Sequence, residues 1–166
     1  IELTNVAREY VEVVTGGMTP DLKALSLQQV LDEALATRRE MYPEAEFRFT
    51  DDLADVEVQA NEMLSSVFQN LLNNAVQHND ADTPHVEVSA DVSDEFVLVS
   101  VADNGPGIRD ERKETVFGKG ETGLESPGTG IGLYLVKKLV SEFEGEVWID
   151  DNEPRGAVVN VRLQRA

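Results

Sequence analysis

Apolar residues recur along the chain with two spacings, three-to-four and two, and these divide it into helices and strands. Leu3, Val6, Tyr10 and Val13 are spaced like a coiled-coil seam and predict a helix over 1–15, ended by Gly16 and Gly17. Residues 16–21 (GGMTPD) read as a connector. A second helix starts near Ser26, where Gln29 three residues later completes a capping-box pattern. Val30, Leu31, Ala34 and Leu35 form its stripe, and Pro43 marks its exit. Residues 46–50 alternate like a half-buried strand, and 56–58 make a short one. Asn61 can cap a helix running to about Gln77, with Leu64, Val67, Phe68, Leu71, Leu72 and Ala75 on one face. Two alternating runs, 86–92 and 96–102, meet in a hairpin at Ser93-Asp94-Glu95. Residues 103–130 are rich in Gly, Pro and charge and carry little regular structure. A helix over 131–143 follows, then strands 146–150 and 157–163 joined by a turn at 152–156. The pattern predicts an α+β fold, a two-layer sandwich of a mixed, mainly antiparallel sheet with three helices on one face, preceded by a short N-terminal helix.

Composition narrows the function. The 166 residues include 32 Asp or Glu against 14 Lys or Arg, for a formal net charge of -18. Phosphate-backbone recognition needs a basic face, so nucleic acid is an unsuitable partner, and an anionic membrane surface is equally unsuitable. With 41% hydrophobic residues the chain is no disordered acidic tail, and its length suits one domain with a real core. It has no Cys, which excludes disulfides, thiolate zinc sites and cysteine nucleophiles. No apolar run approaches the ~20 residues of a membrane span, so a cytoplasmic domain is expected. Such a surface repels itself less in concentrated salt, where the Debye length falls to ~3 Å at 1 M. The acidity therefore also predicts a halophilic source.

Three segments carry candidate chemistry. On the helix over 61–77, Asn70, Asn73, Asn74 and Gln77 sit opposite the apolar face at spacings of three and four. Carboxylates would be the default polar residues in so acidic a chain, and amide oxygens are hard ligands that suit Mg²⁺ shared with phosphate. Directly after the strand over 96–102 comes Asp103-Asn104-Gly105-Pro106-Gly107-Ile108. Its glycines allow a tight turn or a close backbone approach to a flat ligand, and Asp103 can accept a hydrogen bond from an amino group such as adenine's. The third, Gly128-Thr129-Gly130-Ile131-Gly132-Leu133, opens a helix, where backbone N–H groups can hold phosphate. It fits neither a dinucleotide fingerprint nor a P-loop. From Arg109 to Lys119, four cations stand against three acids, a local +1 that leaves -19 for the rest of the chain.

An Asn helix, then D-x-G-x-G after a strand, then Phe117-Gly118, a Gly-rich stretch and G-T-G-I-G-L closely resembles the ATP-binding catalytic domain of sensor histidine kinases. These belong to the GHKL (Bergerat-fold) superfamily shared with gyrase, the heat-shock chaperone and the mismatch-repair ATPase. The resemblance spans roughly residues 22–165. It implies ATP and Mg²⁺ as cofactors, with Asn70 and Asn74 as the two asparagines of the Asn box and Asn74 as the metal ligand. Asn73, Gln77 and His78 would lie by the phosphates or ribose. Asp103 would bind the adenine amino group, with Gly105, Gly107 and Ile108 shaping that wall. Phe117 would match the Phe box, and Gly118 through Pro127 the lid, from which Lys119 could reach the γ-phosphate. Gly128, Thr129, Gly130, Ile131, Gly132 and Leu133 would line the phosphates.

The hydrolytic relatives carry a water-activating Glu where this chain has Asn70, which cannot act as a base. That implies phosphoryl transfer to a protein histidine instead of hydrolysis. Two features depart from the family pattern. Residues 156–160 (GAVVN) lack the Thr often found near adenine. The acceptor histidine is also missing, because His78 falls in the Asn box and His85 opens a strand. The resemblance therefore divides the chain into 1–17 as the end of a dimerisation hairpin helix, 18–25 as linker and 26–166 as the catalytic domain. It implies a homodimeric parent, membrane-anchored or free, whose partners are its own phospho-acceptor domain and a response regulator. The alternatives are a stand-alone ATPase of the same superfamily and a non-catalytic nucleotide sensor.

Overall fold

The structure, a computed structural model, describes residues 22–49, 51–113, 117 and 132–166. The expected helix over 1–15 lies outside the described residues. Three helices and seven strands follow in the order β1 (Lys23–Ser26), α1 (Leu27–Met41), β2 (Glu46–Phe49), β3 (Glu57–Ala60), α2 (Leu64–Gln77), β4 (His85–Val92), β5 (Phe96–Asp103), α3 (Gly132–Glu142), β6 (Glu146–Asp151) and β7 (Ala157–Gln164). A short 3₁₀ turn covers Asp110–Arg112.

The main sheet has the order β2-β4-β5-β7-β6, with β2 parallel to β4 and every other pair antiparallel. The period of two sets its faces. Val86, Val88, Val97, Val99, Val101, Val161 and Leu163 point inward and join one core with side chains of all three helices, among them Leu31, Phe68 and Leu135. Burial of each such side chain contributes about 1.5–3 kcal/mol, which fixes the register and puts the strand ends where the site requires them. The opposite face carries the polar chain Ser100–Asn160–Asp150, linked at 2.7 and 2.8 Å. This is the α+β sandwich that the pattern predicts. Among the described residues, no helix is long and apolar enough to cross a membrane.

Two boundaries differ from expectation. Residues 23–25, within the expected 18–25 linker, form β1 together with Ser26, and β1 pairs antiparallel with β3 in a separate two-stranded ribbon. A four-residue strand with half-exposed side chains leaves no period to read. Helix α2 starts at Leu64, later than Asn61, whose Oδ1 instead accepts from the Met63 N–H at 2.9 Å in the turn before it. The start of α1 is as expected. Ser26 Oγ accepts from the Gln29 N–H at 3.3 Å, while the Gln29 side chain reaches forward to Glu33, so half of the capping box forms.

Candidate functional site

Helix α2 is packed between α1 and α3, so most of its circumference is covered. The amides that share a polar side by spacing therefore meet different surroundings. Asn70 is 6% exposed, and its Nδ2 donates to the Ser66 carbonyl one turn back at 2.7 Å. Asn73, 8% exposed, turns toward α1, where its Oδ1 accepts from Arg38 Nη1 at 2.7 Å and from Tyr42 Oη at 3.4 Å. Gln77 Nε2 donates to the same Tyr42 oxygen at 3.2 Å. Asn73 and Gln77 are thus bonded to Arg38 of α1 and to Tyr42 just past its end. Asn74 differs from them: its Nδ2 is buried and has no hydrogen-bond partner among the described residues. A half-turn of a carboxamide exchanges its oxygen and nitrogen, so Asn74 keeps an unspent polar end for a ligand.

Asp103 closes β5 in a half-buried position. Its Oδ1 accepts from the Gly105 N–H at 2.9 Å and the Ala157 N–H at 3.3 Å, and among the described residues no bond engages Oδ2. Burial pushes the Asp103 carboxyl above the usual carboxylate range, against the opposing pull of those two N–H groups and of the nearby His78 and Arg155. Backbone surrounds it closely. A Cβ on Gly105 would meet Asp103 Oδ1 at 3.2 Å, and one on Gly107 (φ +81) would meet the Gly156 carbonyl oxygen at 3.1 Å. Asn152 Nδ2 donates to the Asp103 carbonyl at 2.7 Å, so the β6–β7 turn is pinned to the end of β5.

Two further contacts bring the motifs together. Asn79, just past α2, donates to Asn104 Oδ1 at 2.8 Å, tying the Asn helix to the turn after Asp103. Arg155 pairs with Asp80 at 2.7 Å across the same rim. Phe117 is buried against Ile149 and Ala157, with Ile108 and Leu133 packed alongside, so it backs the strand whose Ala157 N–H holds Asp103. Lys137 Nζ sits 5.6 Å from the centre of its ring. His78 caps the C-terminus of α2, its N–H bonded to the Asn74 carbonyl at 3.2 Å. Gly132 opens α3. Gly118, Lys119, Gly128, Thr129, Gly130 and Ile131 lie outside the described residues. The basic run is weaker than its count, because Lys113 is bonded to both Asp110 and Asp151. His85 is exposed on the edge of β4 and its Nδ1 meets Glu46 at 2.9 Å.

The sequence did not single out Asn79, Asn152, Gly156 or the Ala157 N–H. Each falls at an element end or in a turn, where Asn and Gly are ordinary. Among the described residues no cluster of three His, Asp or Glu side chains could hold a metal.

The family model described as histidine kinase-, DNA gyrase B-, and HSP90-like ATPase matches residues 59–166. The chain belongs to that family. The sensor histidine kinase GlnK of Bacillus subtilis is 34% identical over 132 residues, which are 75% of this chain and 32% of that protein. The nucleotide-free catalytic domain of histidine kinase ThkA superposes with a TM-score of 0.78 at 26% identity, covering 88% of this chain and 99% of that one. Histidine kinase ThkA in complex with response regulator protein TrrA gives 0.78 at 22% identity, covering 99% of this chain and 48% of that one. The chain is an ATP-binding domain of the histidine kinase type. It spans 18% to 35% of the length of the first curated relatives it matches.

Proposed function

We propose that this domain binds Mg²⁺-ATP in the cleft between α2 and the end of β5 and delivers the γ-phosphoryl group to a histidine on its own dimerisation domain. A response regulator then receives the phosphoryl group. The observation that carries this reading is the setting of Asp103. One carboxylate oxygen is held by two backbone N–H groups, which leaves the other to accept from the adenine amino group. The buried, unpartnered amide of Asn74 supports a Mg²⁺ ligand there, and the metal when bound neutralises charge on the phosphates. Lys119 and the glycines at 128, 130 and 132 complete the phosphate side, with Thr129, Ile131 and Leu133 between and beside them. Asn70 supports transfer over hydrolysis, since an amide bonded to the Ser66 carbonyl takes no proton from water.

In this reading the parent is a homodimer, membrane-anchored or free, and the domain works in the cytoplasm. The complex of ThkA with a response regulator supports the partner assignment. The acidic surface is an adaptation to concentrated salt. The test is to mix the domain, labelled ATP and a separately supplied acceptor-helix domain, then assay acid-labile phosphohistidine. Its absence, with both components folded, contradicts the proposal.

A further inference from the structure

Arg38 is the one charged side chain buried among the described residues, at 5% exposed. A guanidinium costs several kcal/mol to remove from water unless well-placed acceptors meet it, so its location calls for a reason. It lies in the last turn of α1 and donates at 2.7 Å to Asn73 Oδ1. The neighbouring Tyr42 adds a 3.4 Å bond to that oxygen and accepts from Gln77, one turn further along α2, at 3.2 Å. Arg38 in α1 and Tyr42 just past its end therefore hold two positions of α2 spaced four apart. Such a two-point attachment fixes both the rotation of α2 about its axis and its shift along it.

Asn73 precedes Asn74, and Asn74 is followed by the helix end that Asn79 ties to Asn104 beside Asp103. Rotation of α2 sets where the unspent Asn74 amide points. We infer that Arg38, with Tyr42, is a positioning residue for the nucleotide site: it acts through Asn73 to hold the Asn74 amide at the metal-phosphate position. The inference rests on the nucleotide-binding reading above. Arg38 touches no ligand in this account, and its effect reaches the site through helix orientation. A misplacement of about 1 Å at such a site costs up to about a hundredfold.

The test measures the affinity of the whole chain for a non-hydrolysable ATP analogue, with Mg²⁺ and with chelator, and takes the ratio of the two dissociation constants. Wild type is expected to show a clear Mg²⁺-dependent gain. Arg38→Met is expected to lose about tenfold or more of that gain while its chelator affinity stays close to wild type. Arg38→Lys, which keeps the charge and a donor, recovers part of it. Tyr42→Phe, which removes only an oxygen at a half-buried position, gives a smaller loss in the same direction and serves if Arg38→Met does not fold. A wild-type ratio in folded Arg38→Met, or in Tyr42→Phe when that variant stands in for it, overturns the inference. A wild type that binds no nucleotide overturns the nucleotide-binding reading itself, so the two failures are distinguishable.

Discussion

The α-carbon of Gly156 presses on the backbone of Asp103 so closely that a Cβ there would lie 1.9 Å from the Asp103 carbonyl oxygen. Gly156 also has φ +112, a conformation that L side chains rarely adopt. The turn that ends β6 is thus built against Asp103, the residue proposed to recognise the base. Gly156→Ala is expected to destabilise the domain by roughly 3 kcal/mol or more, since clash and strain add. That should lower its melting temperature by about 5–10 °C. Gly105→Ala, whose Cβ would sit 3.2 Å from Asp103 Oδ1, should cost less stability and more nucleotide affinity. Thermal melting of both variants checks the order.

Burial raises the Asp103 pKa, and the consequence has opposite signs for stability and for binding. The folded state holds the proton more tightly than the unfolded chain. This group's contribution to stability is therefore full below the ordinary Asp pKa and is lost as pH rises through the raised folded value. The ionised carboxylate is the stronger acceptor for the adenine amino group, so nucleotide affinity should fall as pH drops through that same raised value. The ratio of affinities for ATP and for the analogue lacking the exocyclic amino group isolates the effect from phosphate titration. A ratio constant from neutral pH down to the ordinary Asp range would sink this assignment.

In the proposed reading Asn70 replaces the general base of the hydrolytic relatives, and its amide is bonded to the Ser66 carbonyl. ATP hydrolysis by the isolated domain should be negligible. Steady turnover comparable to that of gyrase-type ATPases would contradict the kinase reading.

The acidic surface predicts a salt response. Among the described residues, Lys or Arg meets five acids, Glu62, Asp80, Asp110, Glu146 and Asp151, and His85 meets Glu46, out of 25 described acids. Self-repulsion among the others is relieved by screening, so the melting temperature should rise toward molar KCl. A flat or falling curve would remove the halophilic reading.

Much of this was legible in the chain because the core imposes strict periods. The Val residues of β4 and β5 and the apolar face of α2 could be read directly, and the hairpin at Ser93 closes as expected through the Ser93 N–H to Phe96 carbonyl bond at 2.9 Å. Asp103 and its glycines were readable as a motif. The division of labour among the α2 amides was not, because helical spacing says which residues share a side and is silent on what covers it. Arg38 could not be foreseen as Asn73's partner, since an Arg at the end of a helix is normally a solvated one. Gly156 looked like any turn glycine until the sheet register set it against Asp103.

The central claim is that Asp103 reads the base of a bound adenine nucleotide, and one comparison tests it directly. Calorimetric titration of wild type and Asp103→Asn with a non-hydrolysable ATP analogue, in Mg²⁺ and high salt, should show the variant at least about a hundredfold weaker, because an amide nitrogen facing the adenine amino group replaces an acceptor with a donor. The variant should melt no lower than wild type, as it no longer buries a charge. Equal affinity in the two folded proteins would contradict the account.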